Sequence, residues 1–83
     1  MKLTFYTKEQ CPLCAKGLIA LERVQKHFDF QIDIVDIYED DELLERYQIR
    51  IPVVVAEDGQ LIDEGILQEE TVLKNLRQLF MES

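Results

Sequence analysis

Two cysteines separated by two residues are the side chains best suited to chemistry in this sequence. The motif Cys11-Pro12-Leu13-Cys14 lies between a predicted strand and a predicted helix, which places Cys11 at the helix N-terminus. Unpaired backbone N–H groups and the helix dipole stabilise an anion there, and the thiolate is the nucleophilic form of cysteine. Cys14 follows one helical turn later and can reach back to Cys11. The spacing predicts a dithiol that converts to a disulfide, with Cys11 as nucleophile and Cys14 as resolving cysteine.

Other interpretations of the cysteine pair stay open at this point. Both residues could be small buried hydrophobic side chains. A closed zinc site needs four ligands, but the chain offers two cysteines and His27, which lies about 20 Å further along the predicted helix. We therefore expect no metal site within one chain. The alternatives are a metal or iron–sulfur cluster shared between two chains through Cys11, and a non-catalytic adaptor in which the cysteines are incidental.

The first half of the sequence predicts a strand, a helix and a second strand around the motif. Residues 2–6 alternate polar and apolar side chains, as in a strand. From Pro12 to about His27, apolar residues recur every three or four positions, which indicates an amphipathic helix. Residues 30–34 alternate again. A right-handed β-α-β unit with parallel strands follows from this order.

The second half predicts a short helix, a hairpin and a last helix. An acidic cluster at 39–42 suits the positive end of a helix dipole, and 53–56 is a β-branched run typical of a buried strand. Asp58-Gly59 predicts a type I′ hairpin turn with Leu61-Ile62 as the returning strand. The last helix begins near Gln68, without a good capping residue, and carries apolar residues at Val72, Leu73, Leu76, Leu79 and Phe80.

The order β-α-β-α-β-β-α predicts an α/β fold in which helices flank a four-stranded mixed sheet. The length of 83 residues fits a single domain over 1–83. Nine Lys and Arg residues against 17 Asp and Glu give a net charge of −8, without any basic run. This charge argues against partners such as nucleic acid or an anionic membrane surface. No targeting signal is recognised, so we expect a cytoplasmic protein, and we expect a monomer.

Three segments together resemble a known family. They are the Cys11–Cys14 motif, the segment 45–55 with Ile51-Pro52 before a strand, and the Asp58-Gly59 hairpin followed by Gly65 and a helix. In this order they resemble the thioredoxin fold and, within it, the glutaredoxin-like proteins. The resemblance covers nearly the whole chain and implies a thiol–disulfide oxidoreductase. It implies no resident cofactor, and it makes glutathione a candidate reductant.

The resemblance also implies a substrate-binding surface. Pro52 would be cis and would lie beside the cysteine pair, although the sequence alone favours a trans proline at the start of a strand. The backbone N–H and C=O of Ile51 would then be exposed to an extended substrate. Lys8 would pair with a carboxylate of glutathione, the alternative being a solvated loop lysine. Pro12, Leu13 and Gly65 complete the expected surface.

Two departures from the glutaredoxin pattern bear on the electron donor. Leu13 replaces the usual tyrosine, and the paired glycines of the family are reduced to Glu64-Gly65. The additional carboxylate of Glu64 would repel the carboxylates of glutathione. The expected substrate is a disulfide-containing protein or a small thiol compound, and the donor is glutathione or a thioredoxin-reductase-like protein.

Overall fold

The protein is described by a computed structural model that covers residues 1–81. Its strands are β1 (Lys2–Thr7), β2 (Gln31–Asp36), β3 (Val53–Val55) and β4 (Leu61–Glu64). Its helices are α1 (Pro12–Val24), α2 (Asp41–Tyr47) and α3 (Glu69–Met81), with a short 3-10 helix at Ile37–Glu39. The predicted element order is confirmed.

One mixed sheet of four strands organises the molecule, in the order β2-β1-β3-β4. β1 and β2 are parallel and pair from Lys2 with Gln31 to Thr7 with Asp36. β3 is antiparallel to β1 and to β4, and its register with β4 shifts between Val54 and Val55. β2 and β4 are therefore the edge strands. No helix among residues 1–81 is long and apolar enough to cross a membrane.

The two faces of the sheet are covered by different helices. α1 and α3 pack against each other on the face to which Phe5 points. The neighbouring Tyr6 points to the opposite face, because side chains alternate along a strand, and it stacks on Tyr47 of α2. The side chains with less than 2% exposure form the centre of the core: Leu3, Phe5, Leu21, Val24, Ile37, Pro52, Val53, Val54, Ile62, Val72 and Leu76.

One helix boundary differs from that predicted, and the start of the last helix near Gln68 does not. α1 ends at Val24 rather than near His27, because the chain tightens into a turn in which the His27 N–H donates to the Val24 carbonyl oxygen at 2.9 Å. The Gln25 side-chain amide secures that turn by donating to the Phe30 carbonyl oxygen at 2.8 Å. The start of α3 at Glu69 follows Gln68, whose N–H donates to the Asp63 carboxylate at 3.1 Å.

The predicted type I′ turn at Asp58-Gly59 is wrong. Only Gly59, with φ of 88°, has a positive φ in this turn, whereas a type I′ turn needs positive φ at both central residues. The loop instead holds three residues between Ala56 and Gln60, whose backbone groups pair at 2.9 Å. The Asp58 carboxylate accepts the Gln60 N–H at 3.0 Å, so Asp58 stabilises the turn without a left-handed conformation.

Candidate active site

Cys11 is the N-cap of α1 in the structure. Its backbone is extended, with φ of −118° and ψ of 102°, and Pro12 begins the helix. The Cys14 N–H donates to Cys11 Sγ at 3.2 Å, so the sulfur takes the place of a capping oxygen. Gln10, immediately before, has a left-handed φ of 56°, which is uncommon for a residue with a side chain. This local geometry directs the Cys14 N–H toward the sulfur that is expected to carry negative charge.

The two cysteines form a disulfide with unequal access to solvent. Their Cα atoms are 5.1 Å apart. Cys11 is half-buried, whereas Cys14 is 3% exposed and belongs to the core. An incoming thiol or disulfide can therefore approach Cys11 Sγ, while Cys14 is shielded by its own helix and the sheet. The two cysteines therefore differ in the access that an attacking thiol or disulfide would need.

Ile51 and Pro52 differ in part from what the resemblance implies. The Ile51–Pro52 peptide is cis. The Ile51 N–H, however, donates to the Tyr47 carbonyl oxygen at 3.1 Å, so the expectation that this N–H faces substrate is wrong. The last residue of α2 accepts the hydrogen bond from this N–H, because Ile51 lies about one turn beyond the helix end. Among residues 1–81 no group donates to the Ile51 carbonyl, and that oxygen stays a candidate contact.

The Pro52 ring is buried and packs on α1 beside Gly17. Gly17 was not among the predicted site residues, although an isolated glycine within a helical pattern is a signal of close packing. A Cβ at Gly17 would lie 3.1 Å from Pro52 Cγ and 2.9 Å from Leu67 Cδ1. The Gly65 N–H donates to the Pro52 carbonyl at 2.8 Å. Pro52 and Gly65 are thus brought together, and the Pro52 ring packs against α1, the helix at whose N-terminus the cysteines lie.

The remaining predicted contacts lie at the surface around Cys11. Pro12 is exposed and Leu13 is 44% exposed, so both can meet a substrate. Lys8 is half-buried and borders the same groove as Cys11. Within residues 1–81 no carboxylate lies within 4.0 Å of the Lys8 ammonium group. Lys8 therefore lies next to Cys11 without an ion-pair partner in that part of the chain, and its contact with glutathione stays a prediction.

The carboxylate of Glu64 is paired. Arg50 Nε donates to Glu64 Oε2 at 2.7 Å, and both side chains are 38% exposed. The Arg50 guanidinium also lies 5.2 Å from the centre of the Tyr47 ring. The expected repulsion of glutathione by a lone Glu64 charge is therefore offset by Arg50. This pair was not predicted, because its two residues are distant in sequence and are brought together by the hairpin of β3 and β4.

A groove of about 570 Å³ runs along the cysteine motif, on the side of α1 that faces β2. Both cysteines border it. Its other walls include residues of β1, of the loop after β1, of α1 and of β2, among them Phe5, Lys8, Ala15, Leu18 and Ile34.

Tyr6 lies on the opposite face of the sheet, away from this groove. Its ring centre is 4.5 Å from that of Tyr47. Burial raises the pKa of Tyr6 above its ordinary value of 10.0, and the neighbouring Tyr47 and Asp33 act in the same direction. The Arg46 guanidinium acts in the opposite direction. Tyr6 is a packing residue of the α2 face rather than a part of the cysteine site.

The sequence of this chain matches the model of a known protein family. The model of the glutaredoxin-like domain (DUF836) matches residues 2–77. A search of curated proteins gave no significant match.

Several solved structures share the fold. The protein XcR50 from X. campestris superposes with a TM-score of 0.80 at 24% identity, covering 92% of this chain and 96% of its own. Protein Ne2328 from Nitrosomonas europaea has a TM-score of 0.75 at 25% identity, covering 86% and 85%. Thioredoxin 1 from Thermosipho africanus has a TM-score of 0.70 at 17% identity, covering 99% and 97%. The fold is thioredoxin-like.

Proposed function

Since the chain belongs to the glutaredoxin-like domain family (DUF836), we propose that it is a thiol–disulfide oxidoreductase that works through Cys11 and Cys14. One observation carries the proposal. The two cysteines are paired at the N-terminus of α1, with Cys11 accessible and Cys14 buried. A purely structural disulfide needs neither a helix N-terminus nor this difference in access.

The reaction begins with the reduced protein. The Cys11 thiolate attacks one sulfur of a substrate disulfide, and the other substrate sulfur leaves as a thiolate that takes up a proton. Cys14 then loses its proton and attacks Cys11 Sγ. The second substrate sulfur leaves, and the Cys11–Cys14 disulfide closes. Two electrons and two protons have passed to the substrate, and an external thiol must return them.

Residues around the cysteines can stabilise the thiolate, contact the substrate and hold the Pro52 segment in place. The Cys14 N–H, 3.2 Å from Cys11 Sγ, stabilises negative charge on that sulfur together with the helix N-terminus. Lys8 adds a cation at the edge of the site. Pro12 and Leu13 offer exposed apolar contact, and the Ile51 carbonyl offers an acceptor to an extended substrate. Gly65 holds the Pro52 loop in place through its N–H.

The setting of the reaction is part of the same proposal. We place the protein in the cytoplasm as a monomer that takes part in electron transport between thiols. Its substrate is a protein disulfide or a small disulfide. Glutathione and a thioredoxin-reductase-like protein are its candidate donors by resemblance, and it needs no bound cofactor.

Equilibration in graded glutathione redox buffers tests the proposal. The protein is held anaerobically at each potential, quenched with acid, alkylated and analysed by mass spectrometry. We expect a reversible Cys11–Cys14 disulfide with a midpoint between roughly −270 and −180 mV, the range of cytosolic and oxidoreductase dithiols. The reduced protein should then reduce the disulfides of insulin, and a Cys11→Ala variant serves as the control.

Absence of an intramolecular disulfide at every potential would overturn the exchange mechanism. A chromophore in anaerobically purified protein, lost in Cys11→Ala, would then support the shared iron–sulfur cluster. Unchanged partner binding by a variant lacking both cysteines would support the adaptor.

A further inference from the structure

The groove beside the disulfide opens on the side of α1 away from Pro52. Ala15 and Leu18 follow Cys11 by four and seven residues, so they continue the helix wall on the Cys11 side. Gly17, which contacts Pro52, lies on the other side of the helix. The facing wall is Ile34, on the edge strand β2, which no further strand or helix covers in the described chain. The groove is thus separate from the surface around Pro52.

The chemistry of the lining favours an apolar occupant. Apart from the cysteines, most of its lining is apolar, including Phe5, Ala15, Leu18 and Ile34, while Thr7, Lys8 and Gln10 add polar groups. Ile34 leaves 55% of its surface exposed. A volume of about 570 Å³ lies within the range of small-molecule sites, which is roughly 300–1,000 Å³. A linear hydrocarbon chain would cover this apolar surface and gain the free energy of its own burial.

The charges around the groove favour a neutral occupant. Lys8 is the cation at its mouth, but Glu9 and Asp36 border an adjacent depression together with Lys8. The protein as a whole has a net charge of −8, which disfavours the approach of an anion. A tripeptide thiol with two carboxylates complements neither the mainly apolar lining of the groove nor the negative charge of the protein.

We propose that the groove seats the hydrocarbon chain of a small, uncharged aliphatic dithiol, and that this dithiol is the electron donor to the Cys11–Cys14 disulfide. The inference rests on the proposed function and names the donor class for the same site. One donor thiolate attacks Cys11 Sγ, the Cys11–Cys14 bond breaks, and Cys14 leaves as a thiolate that takes up a proton. The second donor thiol then attacks the donor sulfur of the mixed disulfide and releases the Cys11 thiolate. The donor leaves as a cyclic disulfide, two electrons having passed to the protein.

Dihydrolipoamide and dithiothreitol are matched probes for this proposal. Both are uncharged dithiols that form cyclic disulfides, but only dihydrolipoamide carries a hydrocarbon chain. Reduction of the Cys11–Cys14 disulfide is followed by acid quench, alkylation and mass spectrometry under excess donor. Each rate is divided by the rate of the same donor with bis(2-hydroxyethyl) disulfide in free solution. We expect the corrected rate to favour dihydrolipoamide by about tenfold, since each buried methylene contributes about fourfold and the groove is open on one side.

Substitutions in the groove should remove this preference. Ile34→Gln and Ala15→Gln place polar groups on facing walls, and both positions are exposed, so folding is expected to tolerate them. Each should lower the dihydrolipoamide preference about fourfold, the effect of losing roughly one methylene of contact. Ile19→Gln is the matched control, because Ile19 is 52% exposed on α1 but does not border the groove. The preference of that variant should equal that of the unchanged protein.

The outcomes separate this proposal from the proposed function. Equal corrected rates for the two donors, or a preference that persists in both groove variants, would overturn the aliphatic donor. Insulin reduction by the dithiothreitol-reduced protein would still support the oxidoreductase in that case. Failure of the reduced protein to pass electrons to insulin would instead overturn the oxidoreductase itself.

Discussion

The two flanks of α1 differ in how completely they are covered. On one flank, Gly17 lies so close to Pro52 and Leu67 that a single added carbon would meet Leu67 Cδ1 at 2.9 Å. On the other flank, Ala15 and Leu18 face a groove with Ile34, which is 55% exposed. One helix therefore carries a closed flank that is packed to contact and an open flank beside the reactive sulfur.

The topology explains this difference. The closed flank looks toward β3, an interior strand, and toward the segment that leads from β4 into α3. The open flank looks toward β2, where the sheet ends. Stability is expected to depend on the closed flank, because close-packed interiors respond to small volume changes. Chemistry and donor access are expected to depend on the open flank, where surface is left for a ligand.

Serine substitution at each cysteine should have the largest effect on activity. Cys11→Ser removes the accessible nucleophile, and we expect insulin reduction to fall to the rate of the uncatalysed mixture. Cys14→Ser leaves the attack intact but prevents resolution, so a mixed disulfide through Cys11 should accumulate. Mass spectrometry of the acid-quenched reaction identifies the adduct. A stable adduct on Cys14 in the Cys11→Ser variant would reverse the roles that we assign.

The sign of the stability change in Gly17→Ala should show how tightly the closed flank is packed. Elsewhere in a helix, replacing glycine by alanine stabilises by about 1 kcal/mol. At Gly17 the added carbon meets Pro52 and Leu67, and overpacking costs about 1–3 kcal/mol. We expect Gly17→Ala to lower the free energy of unfolding by about 1 kcal/mol in urea titrations.

The matched control for Gly17→Ala is Ala15→Gly on the open flank. It exchanges the same two residue types at an exposed position of α1. It should lose about 1 kcal/mol through helix propensity alone. If Gly17→Ala stabilised the protein instead, the closed flank would have room that the structure does not show.

Neutralising Glu64, beside the closed flank, should lower the free energy of unfolding by less than Gly17→Ala does. The Arg50–Glu64 pair is short at 2.7 Å but 38% exposed on each side, so solvent screens it. We expect Glu64→Gln to lower the free energy of unfolding by about 0.5–1 kcal/mol, and by less in 1 M NaCl. The longer pair between Glu42 and Arg46, at 3.8 Å, supplies a control: Glu42→Gln should change stability less than Glu64→Gln. Equal losses would mean that the Arg50 contact adds no specific stability.

The smallest expected effect is a pH dependence of stability. It comes from Tyr6, on the face of the sheet opposite to α1. The pKa of Tyr6 is raised above its ordinary value of 10.0, first of all by burial. The unfolded chain therefore loses this proton first. The contribution of Tyr6 to stability is complete below pH 10.0 and is lost as the pH rises through the folded pKa.

A Tyr6→Phe variant isolates this contribution. The free energy of unfolding of the unchanged protein, minus that of the variant, should be constant well below pH 10.0 and should fall as the pH rises through and above 10.0. Urea titrations at several pH values measure the difference. A difference that stays constant over this range would contradict the raised pKa.

Local patterns in the sequence were sufficient to predict most of the fold. Alternation predicted β1, three- and four-residue spacing predicted α1 and α3, and the order of elements predicted the mixed sheet. These signals are short-range, because each strand or helix shows its buried face in its own sequence. Less of the site was predicted: the position of Cys11 at a helix start follows from Pro12 and the spacing alone.

The features that the sequence left undetermined depend on contacts between distant segments. Whether Gly17 meets Pro52, whether Arg50 reaches Glu64 and whether the Ile51 N–H is already engaged are each decided when separate elements pack. The hairpin turn also differed from its local signal, because the register of β3 with β4 set the length of the loop.

The sequence by itself determined the pair of cysteines, their order along the helix and the elements around them, since these follow from residue type and period. Only the tertiary structure decided which sulfur is accessible and which flank of α1 is open. Both depend on where the sheet ends and on what packs above it, and no local pattern records that arrangement.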